Sequence, residues 1–132
     1  MEFSTLNLFL EMDHELYKEH ILDHYKNPLN KYALLDADFV GKESNTICGD
    51  EVTVYVNQDE SGIVTEISFT GDGCAISQAA ASLFTEFAKG KHIEDIRRMQ
   101  KSDVEQLLGI SLSTVRVRCA LLIIHALQNV QS

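Results

Sequence analysis

Cations are scarce in this chain. Eleven Lys and Arg face twenty Asp and Glu across 132 residues, a formal net charge of −9. Nucleic acids and anionic membranes select cationic faces, so neither fits as the main partner. The balance suits a metal cation or a protein with a basic patch. Cysteine is also sparse: there are three, an odd number, with no Cys-x-x-Cys pair. Secreted disulfide frameworks draw on paired cysteines, so that class is excluded, and no standard zinc spacing is met. No stretch approaches the ~20 apolar residues of a membrane span. The first ten residues lack the basic n-region and the small-residue cleavage site of a secretory signal. These absences point to a cytoplasmic chain with reduced thiols. No internal repeat or low-complexity tract is present.

What is present is an ordinary globular composition, 45% hydrophobic. A chain of this size buries roughly two-thirds of its unfolded surface, enough to fold without crosslinks. Residues 1–15 read as a loosely held N-terminal extension, with Met12 as an alternative start. From Leu16, the recurrence of Leu16, Tyr17, Ile21, Leu22 and Tyr25 predicts a helix with one apolar stripe. Asn27-Pro28 ends it, because the residue before proline avoids helical angles. Gly41 and Ser44-Asn45 read as turn signals, with Phe39-Val40 seeding a short strand. Val52, Val54 and Val56 alternate with polar neighbours, and Ile63 to Thr70 alternate again. Asp59 to Gly62 lie between, so the pair reads as an antiparallel hairpin. The alanine-rich run Ala75 to Ala88 predicts a helix stopped by Gly90. Two short helices are expected over 92–99 and 102–108, the second opened by a capping box from Ser102 to Glu105. A buried helix is expected over 113–130. The class is α+β: a small antiparallel sheet of about three strands with helices packed on one face.

The chemistry concentrates on the cysteines. Cys48 and Gly49 stand directly before the first strong strand, and Asp50 follows two residues after the thiol. Glycine there admits angles barred to other residues. Cys74 closes the break Gly71-Asp72-Gly73 and opens the alanine-rich helix, where oriented N–H groups favour thiolate. Cys119 follows Arg118 inside an apolar helix. Free cysteine also serves as a small buried hydrophobe. Flanking glycine favours a site at Cys48 and Cys74, and nothing local does so at Cys119. Three thiolates and one carboxylate would make a four-coordinate site for zinc or for iron in a cluster. His20 and His24 are four apart; with no third ligand nearby they read as solvated surface histidines. His125 reads as packed or at a helix edge. Asp36, Asp38 and Glu43 read as solvated surface, and Arg97-Arg98 as surface or a small docking patch.

Four pieces in order resemble the scaffold proteins of iron–sulfur cluster assembly, the NifU-N/IscU/SufU family. They are His24-Tyr25-Lys26-Asn27-Pro28-Leu29-Asn30, Cys48-Gly49-Asp50, Gly73-Cys74-Ala75-Ile76-Ser77 and Arg118-Cys119-Ala120-Leu121. Lys89-Gly90-Lys91 matches a recurring turn of the family. The resemblance runs from about Leu16 to the C-terminus and implies one scaffold domain over 16–132. It implies that Cys48, Asp50, Cys74 and Cys119 converge as metal and cluster ligands, with Cys119 the candidate sulfur acceptor. It implies a non-enzymatic carrier that takes sulfur from a cysteine desulfurase, binds iron, assembles a transient [2Fe–2S] cluster and delivers it to apo-proteins. Zinc is the other metal the pocket is expected to take, as in a SufU-like sulfur acceptor that holds no cluster. Three departures stand out. Arg118 occupies the position where the IscU branch has histidine, as SufU proteins do, yet the SufU insertion before the last cysteine is missing. Ser111-Leu112-Ser113-Thr114-Val115 replaces the proline-containing chaperone-docking segment, so dependence on the usual chaperone is not implied.

Overall fold

The computed structural model describes residues 18–46 and 49–129. The extension expected at 1–15 therefore lies outside the described residues. The described part of the first helix, α1, covers 18–26. Of its expected stripe, Ile21 is buried, whereas Leu22 and Tyr25 are exposed. The helix stops at Asn27, as the proline requires, with the Asn27 N–H still donating to the Asp23 carbonyl at 2.7 Å.

Three strands follow: β1 (Phe39–Asn45), β2 (Asp50–Gln58) and β3 (Val64–Thr70). They form one antiparallel sheet in the order β1-β2-β3. Val54 pairs with Phe69, and Val56 with Ile67, so the alternating apolar residues line one inner face. The turn between β2 and β3 closes on Asp59, whose Oδ1 accepts from the N–H groups of Ser61 and Ile63. β1 is longer than the seed Phe39-Val40 suggests. Gly41 and Ser44-Asn45 lie inside the strand, in register with Val54, Glu51 and Asp50. Pairing to β2 and packing under a helix override the local turn preference of these residues.

The helices α2 (Ala75–Ala88), α3 (Ile93–Arg97), α4 (Lys101–Leu108), α5 (Thr114–Ala120) and α6 (Leu122–Gln128) complete the chain. α6 packs on β1 and β2, and α2 on β3, so the α+β architecture matches the expected one. A single core joins the sheet to the helices through Val54, Phe69, Phe84, Ile123 and Leu127.

Three expectations need correction. The helix expected over 92–99 is shorter, Ile93–Arg97. Its cap is His92, whose Nδ1 accepts from the Glu94 N–H at 3.1 Å. The capping box is not at Ser102–Glu105; the N-cap is Gln100, and its N–H donates to Asp103 Oδ2 at 2.8 Å. Glu105 is engaged elsewhere, accepting from the Leu112 N–H and so tying α4 to the loop before α5. The last helix is divided at Leu121 into α5 and α6, although Leu121 and His125 continue the four-residue hydrogen-bond pattern across the break.

Candidate metal centre

The short connection between β1 and β2 sets the first donor. Asn45 and Asp50 are register partners, leaving residues 46–49 to turn the chain. Gly49 sits at φ 74°, a left-handed angle that side-chain-bearing residues rarely adopt. Asp50 thus begins β2 with its side chain on the buried face, 4% exposed. Cys48 lies in this connection by sequence, outside the described residues.

The loop from β3 to α2 sets the second donor. Gly71 has φ 124°, and a Cβ there would collide with the Glu51 carbonyl. The loop is therefore pressed against the start of β2, and the Glu51 N–H donates to the Asp72 carbonyl at 2.9 Å. A Cβ on Gly73 would strike Ser77 Oγ and come within 3.1 Å of Asp50 Cγ. Cys74 then caps α2 from an extended conformation and is exposed. The third donor, Cys119, comes from the last turn of α5 and is 4% exposed.

These three residues converge: one ligand atom of each, the Cys74 and Cys119 sulfurs and an Asp50 oxygen, all lie within 4.8 Å of one another. Asp50 Oδ1 accepts from the Cys74 N–H at 3.2 Å. Asp50 Oδ2 is buried and has no hydrogen-bond partner among the described residues. A buried carboxylate oxygen without a partner costs more than most buried groups, and proteins resolve it with a cation or a proton. Among the described residues, the other unpartnered buried atoms are neutral oxygens of Gln58, Ser68 and Gln78 and the Arg97 Nε, and Asp50 contributes the one carboxylate. Two sulfurs beside an orphaned carboxylate fit a thiolate-binding metal such as zinc or iron. The motif Gly73-Cys74-Ala75-Ile76-Ser77 already contains both Gly73 and Ser77, but their support of the cluster, Gly73 packed close to Asp50 and Ser77 Oγ donating to the Cys74 carbonyl, emerges only from the fold.

The remaining candidates fall elsewhere. Arg118 is exposed and lines a groove of about 300 Å³ with Glu43, Ser44, Asn45, Thr46, Leu122 and His125. His125 is at the helix edge, exposed. His24 corrects the reading of a solvated pair. Its Nδ1 lies 2.7 Å from Ser82 Oγ on α2, while its ring packs edge-on to His20 at 4.6 Å. Burial, then the neighbouring His20, lowers its pKa from the ordinary 6.5, against an opposing pull from Asp23. The rest of that segment docks on the same helix. The Leu29 N–H donates to Ser82 Oγ, and Asn30, at φ 61°, donates to Thr85 Oγ1 and Glu86 Oε1. His24 to Asn30 is thus a clasp onto α2, well separated along that helix from Cys74.

An α+β protein with a cysteine–carboxylate cluster where a hairpin turn meets a helix start is the class these features define. The chain belongs to the NifU-like N terminal domain family, which it matches over residues 16–131. It is 38% identical over 131 residues to the zinc-dependent sulfurtransferase SufU of Bacillus subtilis, covering 86% of this chain and 88% of that protein. It is 36% identical over 114 residues to the iron–sulfur cluster assembly scaffold protein IscU 1 of Archaeoglobus fulgidus, covering 86% and 73%. Among solved structures, one from Fervidobacterium islandicum AW-1, FiSufU, assigned to cluster assembly in the SUF system, superposes with a TM-score of 0.70 at 27% identity, over 87% of this chain and 96% of that one. The N-terminal part of a NifU-like protein from Brucella abortus, at 24% identity and a TM-score of 0.67, shares the fold over 87% and 91%. No helix among the described residues is long and apolar enough to cross a membrane.

Proposed function

We propose that this chain, through a working domain at 16–132, is an iron–sulfur cluster assembly scaffold. It takes sulfur from a cysteine desulfurase, binds iron, and hands a [2Fe–2S] cluster, its cargo, to apo-proteins. The observation that carries this reading is the orphaned Asp50 Oδ2 inside the 4.8 Å cluster with Cys74 and Cys119. Cys48, two residues before Asp50, is the fourth donor the reading assigns. Cys119 is the residue assigned to accept sulfur, with Cys74 at the exposed mouth of the cluster.

The donor types bear on release. Thiolates hold soft metals strongly, and a carboxylate is a harder, weaker ligand for the same ion. One carboxylate among thiolates therefore gives the cargo a corner from which it departs. Asp50 stays ready for that role because the Cys74 N–H orients one oxygen and leaves the other free. Asp50→Ala is expected to slow loss of a bound cluster.

A second reading is favoured by Arg118 and by the likeness to the Bacillus sulfurtransferase. In it Cys48, Asp50, Cys74 and Cys119 hold zinc, which would keep the thiols as thiolates, and the chain relays sulfur without holding a cluster. Anaerobic reconstitution with iron and a desulfurase separates the two. The scaffold reading expects cluster absorbance that disappears in Cys48→Ala. Tightly held stoichiometric zinc, with desulfurase stimulation and no absorbance, selects the relay. A protein showing neither overturns both.

A further inference from the structure

The groove beside the cysteine cluster has a built-in polarity. Arg118, Leu122 and His125 recur on one helical face. Opposite them run Glu43, Ser44, Asn45 and Thr46. The relative direction of helix and strand follows from Asn129, whose Nδ2 donates to the Lys42 carbonyl and to Glu43 Oε2. The end of α6 therefore lies at Glu43. Going back along the helices brings Arg118, about 10 Å from His125 by helical rise, toward Thr46. The arginine thus stands at the end of the groove nearest the cluster, since Cys119 follows it and Asn45 pairs with Asp50.

Arg118 has no hydrogen bond or ion pair among the described residues. Glu43, the acid of the same groove, accepts from Asn129 Nδ2 and from the Ser44 N–H and makes no ion pair with Arg118. A guanidinium with its fork open, in a groove that Ser44 and Thr46 also line, is suited to receive a carboxylate. The groove, about 300 Å³, has room for a small molecule.

We propose that this groove binds a small thiol that carries a carboxylate, and that the thiol takes sulfur from the cluster cysteines. This deepens the sulfur-accepting role proposed above and rests on it. With the carboxylate on Arg118, the thiolate is directed toward Cys119. It attacks the outer sulfur of a Cys119 persulfide. The S–S bond to Cys119 breaks, its electron pair leaves on the Cys119 sulfur, and the small thiol departs as a persulfide carrying the transferred sulfur. No net oxidation occurs, and the proton of the incoming thiol balances the restored cysteine.

The test loads the full chain with inorganic polysulfide and locates the added sulfur by peptide mass. Three small thiols then compete to remove it: 3-mercaptopropionate, 2-mercaptoethanol and cysteamine. Each rate is normalised to the same thiol acting on a small persulfide in solution. A chain of net charge −9 should repel the anionic thiol and favour the cationic one. The proposal expects the reverse order, with 3-mercaptopropionate ahead of 2-mercaptoethanol by about fivefold, the factor an exposed ion pair supplies. In Arg118→Gln that preference should vanish, the ratio between thiols serving as its own control. Cysteamine fastest in the wild type, or the same order in both proteins, overturns the groove proposal while leaving sulfur acceptance standing. Wild-type protein that takes up no sulfur at any cysteine overturns the sulfur-accepting reading. The groove is then judged by the NMR signals of Arg118 and His125, whose movement on adding 3-mercaptopropionate supports it and whose stillness removes it.

Discussion

The two ends of helix α2 use polar residues in opposite ways. In its second half, Ser82 and Thr85 are fully buried, and both are satisfied. Ser82 meets His24 and the Leu29 N–H, and Thr85 donates to the Ala81 carbonyl while accepting from Asn30. At its start, Asp50 is nearly as buried, yet one of its oxygens meets nothing among the described residues. A satisfied buried network holds a fold together, whereas an unsatisfied carboxylate is tolerated where something else completes it. The polar clasp at one end is therefore architecture, and the orphaned acid beside two thiols at the other is where a metal is expected.

That contrast can be broken by substitution. The largest expected effect is on metal binding. Asp50→Asn keeps the shape of the side chain and removes the charge. Zinc affinity, measured by chelator competition, should fall about 100-fold, or about 2.7 kcal/mol. The metal-free variant should be no less stable than the parent, because an unpaired buried charge has been removed. A loss of apo stability would mean that Asp50 is structural after all. Next is the clasp. Ser82→Ala leaves the Leu29 N–H and the His24 ring without their partner and should cost about 2 kcal/mol in urea unfolding, with zinc affinity unchanged.

The third effect is pH-dependent. The pKa of His24 is lowered in the folded protein, so the unfolded chain takes up a proton that the native state resists. Stability is unaffected above about pH 7 and falls as pH drops through 6.5 toward the lower folded value. His24→Gln should flatten the fall in urea midpoint between those pH values; an unchanged slope would assign it to other groups. The smallest effect belongs to the surface. Glu86 meets Lys89 at 2.9 Å, and this pair plus the Asn30 amide lowers its pKa, but both side chains are well exposed. Glu86→Gln should change stability by no more than about 0.5 kcal/mol.

Much of this could be read in the sequence, and the misses have physical causes. The strands β2 and β3 follow from strict alternation, and α2 from its alanines, because local patterns determine both. The full length of β1 is hidden in the sequence because Gly41 and Ser44-Asn45 speak for turns when taken alone, and only pairing with β2 makes them a strand. The break at Leu121 leaves no mark in an apolar run. The capping box moved because Glu105 serves a contact seven residues away, with Leu112. At the site, Cys74 and Asp50 carried local signals from the glycines beside them. Cys119 carried none, since its role depends on α5 being folded back against the start of α2. His24 reads as solvated from sequence because its partner Ser82 is far away along the chain.

The most direct test of the central claim is metal and labile-sulfide analysis of the chain purified without air, beside Cys74→Ser. The wild-type protein is expected to hold about one zinc ion, or iron with matching labile sulfide, per chain, and the variant to lose it. Wild-type protein that is free of metal and sulfide, and that takes up neither zinc nor iron when they are supplied, would contradict the claim.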